Sequence, residues 1–157
     1  MSNNSLLEFD IQGIKECQQN RHPLLFIDHV FDVIPGSTAS AIKCFSYNEW
    51  FFPAHFEDEP NVPGFILVES LVQTFIMTFL TIEKYKGKKT SFLDINNVKF
   101  RQKVIPGQSM KIKANLESFK RGVAKGNAEA FINDTFICSA SFVIGIPDEM
   151  MTFIPSK

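Results

Sequence analysis

Cysteine is scarce in this sequence of 157 residues. The three cysteines, Cys17, Cys44 and Cys138, are odd in number, lie far apart and form no Cys-x-x-Cys pair. This pattern argues against a disulfide framework and is typical of small core or surface residues in a reducing compartment. We therefore expect a cytoplasmic protein.

An excess of charge of one sign is also missing. The chain has 16 basic and 17 acidic residues, which gives a formal net charge of -1. Bulk electrostatics therefore give no reason to expect nucleic acid or an anionic membrane as the main partner. The first residues, Met1–Gly13, carry acidic side chains and lack both the cationic start and the long apolar stretch of a secretory signal.

Tryptophan and tyrosine are rare, whereas phenylalanine is abundant. One Trp and two Tyr stand against 17 Phe. Large apolar side chains without polar tips suit a thick core, an apolar ligand tunnel, or both. A chain of this length fits one domain and can bury a core without metal or disulfides. No repeat or linker divides it, so we predict a single domain over residues 1–157, with a core at about 11–146 and a loosely attached tail at 147–157.

The first half of the chain alternates between short elements and turns. A short helix is predicted over 10–19, with Asp10 as its N-cap and with Ile11 and Ile14 on one face. An apolar, β-rich run follows over 22–37 and stops at a Pro-Gly turn. In the next predicted strand, 38–45, the residues Ala39, Ala41 and Phe45 alternate against Ser40 and Lys43.

The second half reads as one long helix followed by an antiparallel meander. The loop 48–64 precedes the helix, which is predicted from Phe65 to about Glu83, and a basic break follows over 84–90. Strands are predicted over 91–104, 109–120, 123–133 and 135–146. This order of elements implies an α+β fold.

The long helix is apolar enough to raise the question of a membrane span. Residues 65–82 contain no Lys or Arg and come close to the length that a bilayer requires. Against a span stand Glu69 and Gln73, three threonines, and the polar faces of the strands that follow. A helix that is apolar nearly all round is also typical of the buried centre of a soluble fold, and we favour this interpretation.

Glu69 is a lone carboxylate within this apolar helix. A buried ionisable group is costly unless it is paired or used. Gln73 lies four residues further on, shares its helix face and can orient the carboxylate. His55 lies in the polar, proline-rich loop just before the helix. A His and a Glu brought together in an apolar pocket make a plausible acid/base pair.

Pro63 and Gly64 mark the start of the same helix. Proline suits an early helical position, and glycine lets a ligand approach the backbone. Amide N–H groups in a first helical turn have no intrahelical acceptor and can polarise a carbonyl oxygen. Together with His55 and Glu69, this arrangement suits proton abstraction next to a carbonyl group.

The spacing of these residues resembles that of one known family. The pattern His55-Phe56-x3-Pro60-x2-Pro63-Gly64-x4-Glu69-x3-Gln73 is similar to that of the bacterial (3R)-hydroxyacyl-acyl-carrier-protein dehydratases. Upstream markers are Arg21-His22-Pro23-Leu24-Leu25, Asp28, Asn48-Glu49 and Phe51-Phe52. Downstream markers are Val98-Lys99-Phe100-Arg101 and Val104-Ile105-Pro106-Gly107. The resemblance implies the hotdog fold, in which an antiparallel sheet wraps around a long central helix. It also implies a homodimer, often assembled further into a trimer of dimers.

The resemblance implies roles for individual residues. His55 would take a proton from C2 of the substrate, and Glu69 of the partner protomer would protonate the departing 3-hydroxyl or direct a water toward it. The Gly64 N–H would bind the thioester carbonyl, with Gln73 and Pro63 in support. The substrate would be carried on the phosphopantetheine of an acyl carrier protein, and no metal or redox cofactor would be required. Burial is expected to raise the pKa of Glu69. Glutamate rather than aspartate at this position favours dehydration without isomerisation.

Two further sets of residues are predicted to meet the substrate. Phe51, Phe65 and Phe92 are expected to line the acyl tunnel, and Lys99, Arg101 and Lys103 to form a docking patch for the acidic carrier protein. The chain departs from the family at Glu57-Asp58, where Pro-Gly is usual, which points to a pathway-specific substrate. The length of the acyl chain is not predicted.

Two other functions remain open from the sequence. A thioesterase of the same fold would hydrolyse the thioester without needing the His/Glu pair, and a non-catalytic acyl-binding protein would need neither residue. His55 would then be a structural loop residue, and the lysines and arginines a solvated face. The presence of both His55 and Glu69 favours dehydration.

Overall fold

The computed structural model describes residues 5–153. The strands are β1 (Leu7–Phe9), β2 (His29–Ile34), β3 (Thr38–Cys44), β4 (Ser91–Phe100), β5 (Ser109–Lys120), β6 (Val123–Ile132) and β7 (Thr135–Gly145). The α-helices are α1 (Ile11–Cys17), α2 (Gly64–Leu80) and α3 (Pro147–Met151), and short 3-10 turns occupy Phe52–Ala54 and Glu83–Tyr85.

All the strands form one antiparallel sheet that curves around α2. The strand order is β1-β2-β3-β5-β6-β7-β4, and α2 packs against β2, β3, β5, β6 and β7. Side chains alternate along the strands, so that one face of the sheet and nearly the whole circumference of α2 are buried together. This architecture confirms the predicted α+β hotdog fold.

One glycine sets how closely the helix approaches the sheet. Gly126 faces α2 from β6, and a Cβ atom there would lie 2.5 Å from the Phe75 ring and 2.1 Å from the Asn115 carbonyl oxygen. Phe75 in turn stacks on Phe142 of β7 with ring centroids 5.7 Å apart. The absent side chain at position 126 therefore leaves room for an aromatic layer between helix and sheet.

The N-terminal elements were predicted in part. Asp10 caps α1, since its Oδ1 accepts the Gly13 N–H at 2.9 Å, and this prediction is confirmed. Ile11 and Ile14, three residues apart, lie on one face of α1 as predicted, with Ile14 fully buried and Ile11 38% exposed at the first helical position. Only residues 29–34 of the predicted β-rich run are in a strand. The turn after them is confirmed, with Gly36 at a φ of 81°.

Lys43 corrects the predicted alternation of β3. It was placed on the polar face, yet its side chain is only 5% exposed. The Nζ atom lies 2.5 Å from Glu49 Oε1 and 3.7 Å from Asp28 Oδ2. A buried ammonium persists where carboxylates pair with it, and two residues from the sequence pattern, Asp28 and Glu49, serve this structural purpose.

The end of the described chain forms a short helix. Residues 147–151 form α3, and the Glu149 carboxylate lies 3.1 Å from the Lys88 ammonium and 3.5 Å from that of Lys84. The loose attachment of residues 147–157 stays a prediction, and residues 154–157 lie outside the described residues. Within residues 5–153, no helix is long and apolar enough to cross a membrane.

The edge strand β4 is not among the strands that α2 packs against. Every residue of β4 is exposed, although Phe92, Ile95 and Phe100 pair with buried residues of β7 and so continue the apolar face of the sheet. We call Phe92, Ile95, Val98 and Phe100 the β4 strip; their exposed fractions are 47%, 40%, 39% and 47%. The outer edge of β4 has no partner strand within the described chain.

Candidate active site

His55 is held by the loop that leads into α2. Its Nδ1 lies 3.1 Å from the Asn61 carbonyl oxygen, and the Asn61 N–H donates to the His55 carbonyl oxygen at 2.9 Å. The His55–Phe56 peptide bond is cis. Because a carbonyl oxygen can only accept, Nδ1 must carry the proton, and Nε2 of the neutral ring keeps its lone pair. The loop thus presents Nε2 as a proton acceptor.

Glu69 lies half-buried on the N-terminal half of α2. Burial raises the pKa of its carboxyl group, while a hydrogen bond donated by Gln73 Nε2 to Oε1 at 2.8 Å acts in the opposite direction and is the smaller effect. The carboxyl group therefore holds its proton to a higher pH than an exposed glutamic acid does.

Gln73 joins three parts of the chain around this carboxyl group. It is fully buried, and its Nε2 also donates to the Leu24 carbonyl oxygen at 2.7 Å. Its Oε1 accepts the Phe26 N–H at 2.7 Å. One amide thus fixes the rotamer of Glu69 and attaches residues 24–26 to α2.

The raised pKa of Glu69 predicts how stability depends on pH. Because the folded state binds this proton more tightly than the unfolded state, the wild type loses stability as pH rises through and above the ordinary value of 4.5. Glu69→Gln keeps an acceptor for Gln73 and removes the titration. We expect the stability of the variant relative to the wild type to increase as pH rises above about 4.5 in chemical unfolding experiments. A constant or shrinking difference would contradict the direction of the pKa shift.

Gly64 is the first residue of α2. Its N–H has no acceptor within the helix, no side chain caps this end, and the positive end of the helix dipole lies here. Pro63, the N-cap residue, is buried and leads the backbone into the helix with a φ of -56°. A Cβ atom at position 64 would lie 3.2 Å from the Phe100 ring, so a side chain would press against the β4 strip.

The proposed catalytic residues lie in neighbouring cavities. His55 and Gly64 line a cleft of about 310 Å³. Glu69 lines an apolar groove of about 630 Å³, formed by α2 and the β4 strip, and Gly64 and Phe100 border both spaces. Within the described chain, His55 and Glu69 share neither a cavity nor a hydrogen bond. Glu69 also lines a third cavity of about 410 Å³, which extends along α2.

Comparison with known proteins identifies the family. A model of the FabA-like domain matches residues 19–141. The chain belongs to the FabA-like family. It is 38% identical over 138 residues to the 3-hydroxyacyl-[acyl-carrier-protein] dehydratase FabZ of Ligilactobacillus salivarius, which covers 87% of this chain and 99% of that protein. It is 30% identical over 140 residues to the FabZ of Syntrophomonas wolfei, covering 89% and 97%. The predicted resemblance to this dehydratase family is confirmed.

Among solved structures, this FabA-like chain is similar to the dehydratase heterocomplex ApeI:P from Xenorhabdus doucetiae. The TM-score is 0.75, and the match covers 91% of this chain and 97% of that one. At 15% identity, the likeness shows the fold alone.

In the structure of this FabA-like chain, two of the three predicted tunnel residues line a cavity beside Glu69, and the third is buried elsewhere. Phe65 is 66% exposed and lines the apolar groove, and Phe92 lines both the groove and the third cavity. Phe51, by contrast, is 1% exposed and packs against Phe26 and Phe52 in an aromatic cluster. It lines none of the three cavities that border Gly64 or Glu69, so its predicted contact with the acyl chain finds no support.

The predicted docking residues lie near the cleft of His55. Arg101 and Lys103 line that cleft, whereas Lys99 and Arg101 line a polar groove on the outer face of the sheet. Lys103 Nζ lies 2.6 Å from Glu59 Oε1. Glu57 and Asp58, which precede Glu59 in the sequence, are exposed. Basic and acidic side chains therefore meet at the mouth of the cleft.

Several residues of the site were not predicted from the sequence. The Asn61 carbonyl selects the tautomer of His55, but a backbone contact of this kind leaves no residue-type signal. Phe100 belongs to the family pattern, yet its position over Gly64 depends on the pairing of β4 with β7. Gln18 is fully buried beside Gln73. The only sequence signal for Gln18 was its place near the end of an amphipathic helix.

Proposed function

We propose that this protein dehydrates a (3R)-hydroxyacyl thioester on an acyl carrier protein to the trans-2-enoyl thioester. One observation carries the proposal: His55 and Gly64, the first residue of α2, line one cleft, and α2 also bears a carboxyl group, that of Glu69, whose pKa is raised by burial. The names of the curated FabZ relatives support the same reaction.

The reaction uses each group in one step. The thioester carbonyl accepts a hydrogen bond from the Gly64 N–H, which acidifies the C2 proton. His55 Nε2 takes that proton, and the electron pair forms the C2–C3 double bond while the C3–O bond breaks. Glu69 gives its proton to the departing hydroxyl, and water leaves. A proton moving from His55 to Glu69 through solvent resets the site, so no metal or redox cofactor enters any step.

We infer that the Glu69 of each site comes from a second copy of the chain. The apolar groove and the β4 strip support this inference, because a soluble protein rarely leaves such a face uncovered. Two β4 edges paired antiparallel about a two-fold axis satisfy the free strand edge of both copies. The pairing also covers the groove that contains Glu69. Assembly into a trimer of dimers and a cytoplasmic location stay predictions.

The direct test is incubation with 3-hydroxybutyryl carrier protein. We expect formation of the enoyl thioester, read by its ultraviolet absorbance, without release of free thiol. Thiol release in place of enoyl formation would instead identify a thioesterase. Binding without either product would identify an acyl-binding protein and would contradict the proposal.

Docking of an acidic carrier protein predicts a dependence on salt. Arg101 and Lys103 lie at the cleft, and attraction between exposed charges is screened at higher ionic strength. We expect KM for the carrier-bound substrate to rise severalfold with added salt, and KM for the matching pantetheine thioester to stay nearly constant. Arg101→Gln should reproduce the rise at low salt.

The control for this variant is Arg121→Gln, which removes the same charge in the turn between β5 and β6. If both variants raise KM equally, net charge rather than a docking patch explains the effect. If neither variant raises it, the carrier protein binds elsewhere.

A further inference from the structure

The third cavity runs along α2 away from Glu69. Its volume is about 410 Å³, and α2 lines it through Glu69, Val72, Gln73, Ile76 and Leu80. These positions span about 16 Å at the rise of an α-helix. Three of the five side chains are aliphatic, so the cavity suits an acyl chain whose reacting end lies beside Glu69.

The far end of this cavity is bordered by the chain segment that leads from α2 into β4. We call residues 86–90 the linking segment; its members that line the cavity are Lys88, Lys89 and Thr90. Phe100, the last residue of β4, lies against Gly64 at the start of α2. Ser91, the first residue of β4, pairs instead with Gly145 at the end of β7. The linking segment therefore lies towards the end of α2 that is remote from Gly64.

Two elements hold the linking segment, one on each side. On the first side, the Gly87 N–H donates to the Cys17 carbonyl oxygen at 2.9 Å, and Gln19 Nε2 donates to the Gly87 carbonyl oxygen at 2.9 Å. On the other side, the Lys88 ammonium lies 3.1 Å from the Glu149 carboxylate of α3. The segment is thus fastened between the end of α1 and the C-terminal helix.

Glu149 is placed by a close approach of α3 to the sheet. A Cβ atom at Gly122 would lie 2.8 Å from the Met150 nitrogen, and one at Gly145 would lie 2.5 Å from Met150 Sδ. The Glu149 side chain is 12% exposed, and an ion pair that is partly shielded from water is screened less than an exposed one. Residues 147–151 lie beyond residues 19–141, which the FabA-like domain matches, so this contact is not accounted for by that match.

We propose that Glu149 is a positioning residue that limits the length of the acyl chain. Through Lys88 it holds the linking segment as the far wall of the cavity, and methylene groups beyond that wall gain no burial. The proposal requires residues 147–151 to stay attached in solution, whereas the sequence predicts a loose tail. It rests on the proposed function for the entry of an acyl chain beside Glu69, but its binding test does not require turnover.

The test measures binding of saturated acyl-phosphopantetheines by calorimetry, starting at butyryl and lengthening the chain by two carbons at a time. Each pair of methylene groups that enters an apolar cavity should strengthen binding on the order of tenfold. In the wild type we expect this gain up to one chain length and no gain beyond it. In Lys88→Met and in Glu149→Gln the gain should continue for at least one more step, while binding of the butyryl compound stays unchanged.

The matched control is Lys84→Met. Lys84 pairs with the same carboxylate at 3.5 Å, but its side chain is 67% exposed and does not line the cavity. This variant removes the same charge as Lys88→Met and should keep the length limit of the wild type. Lys88→Arg keeps the ion pair and should keep the limit as well.

Three results would overturn the proposal. The first is a length limit that stays at the wild-type value in Lys88→Met and Glu149→Gln. The second is an equal shift in Lys84→Met, because the limit would then follow the loss of charge near α3 rather than the wall of the cavity. The third is a wild type without any limit. If Glu149→Gln does not fold, the comparison of Lys88→Met with Lys84→Met decides.

The proposed dehydration fails or succeeds separately. It is read from 3-hydroxybutyryl carrier protein, whose chain ends at C4 and does not reach the far wall. Absence of enoyl product there contradicts the reaction but leaves the length limit measurable.

Discussion

A mixture of His55→Ala and Glu69→Gln chains is expected to regain about a quarter of wild-type activity after subunit exchange. Each variant alone should lose a factor of about 10²–10⁴ in kcat, the usual contribution of a positioned acid or base. In a mixed dimer, one site combines the intact His55 of one chain with the intact Glu69 of the other, and the second site has neither. Random exchange makes half of the dimers mixed, so about a quarter of all sites are complete.

This experiment distinguishes a shared site from a site within one chain. If His55 and Glu69 of the same chain worked together, the mixture would stay as inactive as its parts. The control mixes His55→Ala with the double variant His55→Ala/Glu69→Gln, because no His55 is then present and no activity should return. Recovery in this control would point to another base.

Ile95→Lys is expected to give a folded, monomeric and inactive protein. Ile95 belongs to the β4 strip and is 40% exposed in the single chain, so an ammonium group there remains in water and leaves the fold intact. In the proposed dimer the same group would be buried without a partner, which costs several kcal/mol. We therefore expect the loss of the dimer in analytical ultracentrifugation, together with nearly complete loss of enoyl formation.

The matched control is Asn96→Lys. Asn96 is the next residue of β4 and pairs with Ser141, a residue of the outer groove, so its side chain points away from α2. This variant should stay dimeric and active. A dimeric, active Ile95→Lys protein would show that the copies meet through another surface.

Most of the fold could be predicted because its elements carry local signals. The apolar run of α2 and the alternation in β5, β6 and β7 located these elements to within a few residues. Errors arose where burial depends on tertiary contacts. Lys43 was placed on the polar face because it is charged, although it shares the buried face of β3 with Ala39 and Ala41; the carboxylates that permit its burial, those of Asp28 and Glu49, lie on separate loops. The strand β1 has three residues, which is too short for a periodic signal.

The site was predictable in its residue types and not in its arrangement. A carboxylate in an apolar helix and a glycine at its start are visible in the sequence. The contact between Gln73 and Glu69 was predicted as well, because residues four apart share one helix face. The exposure of the apolar side chains of β4 was not visible, since its mixture of apolar and polar residues matches that of a strand with one buried face. Whether a strand lies under a helix depends on how many strands that helix can cover.

The exposed strand β4 also affects the protein just after its synthesis. A newly made chain exposes the apolar β4 strip beside the unpaired edge of β4. Any other unpaired strand can pair with this edge. If two copies pair as proposed, their encounter is second order, so each copy waits longer when few are present. Resistance to heat should then grow with protein concentration. The proposed dimer would also make the rate of synthesis a determinant of how much of this protein survives in the cell.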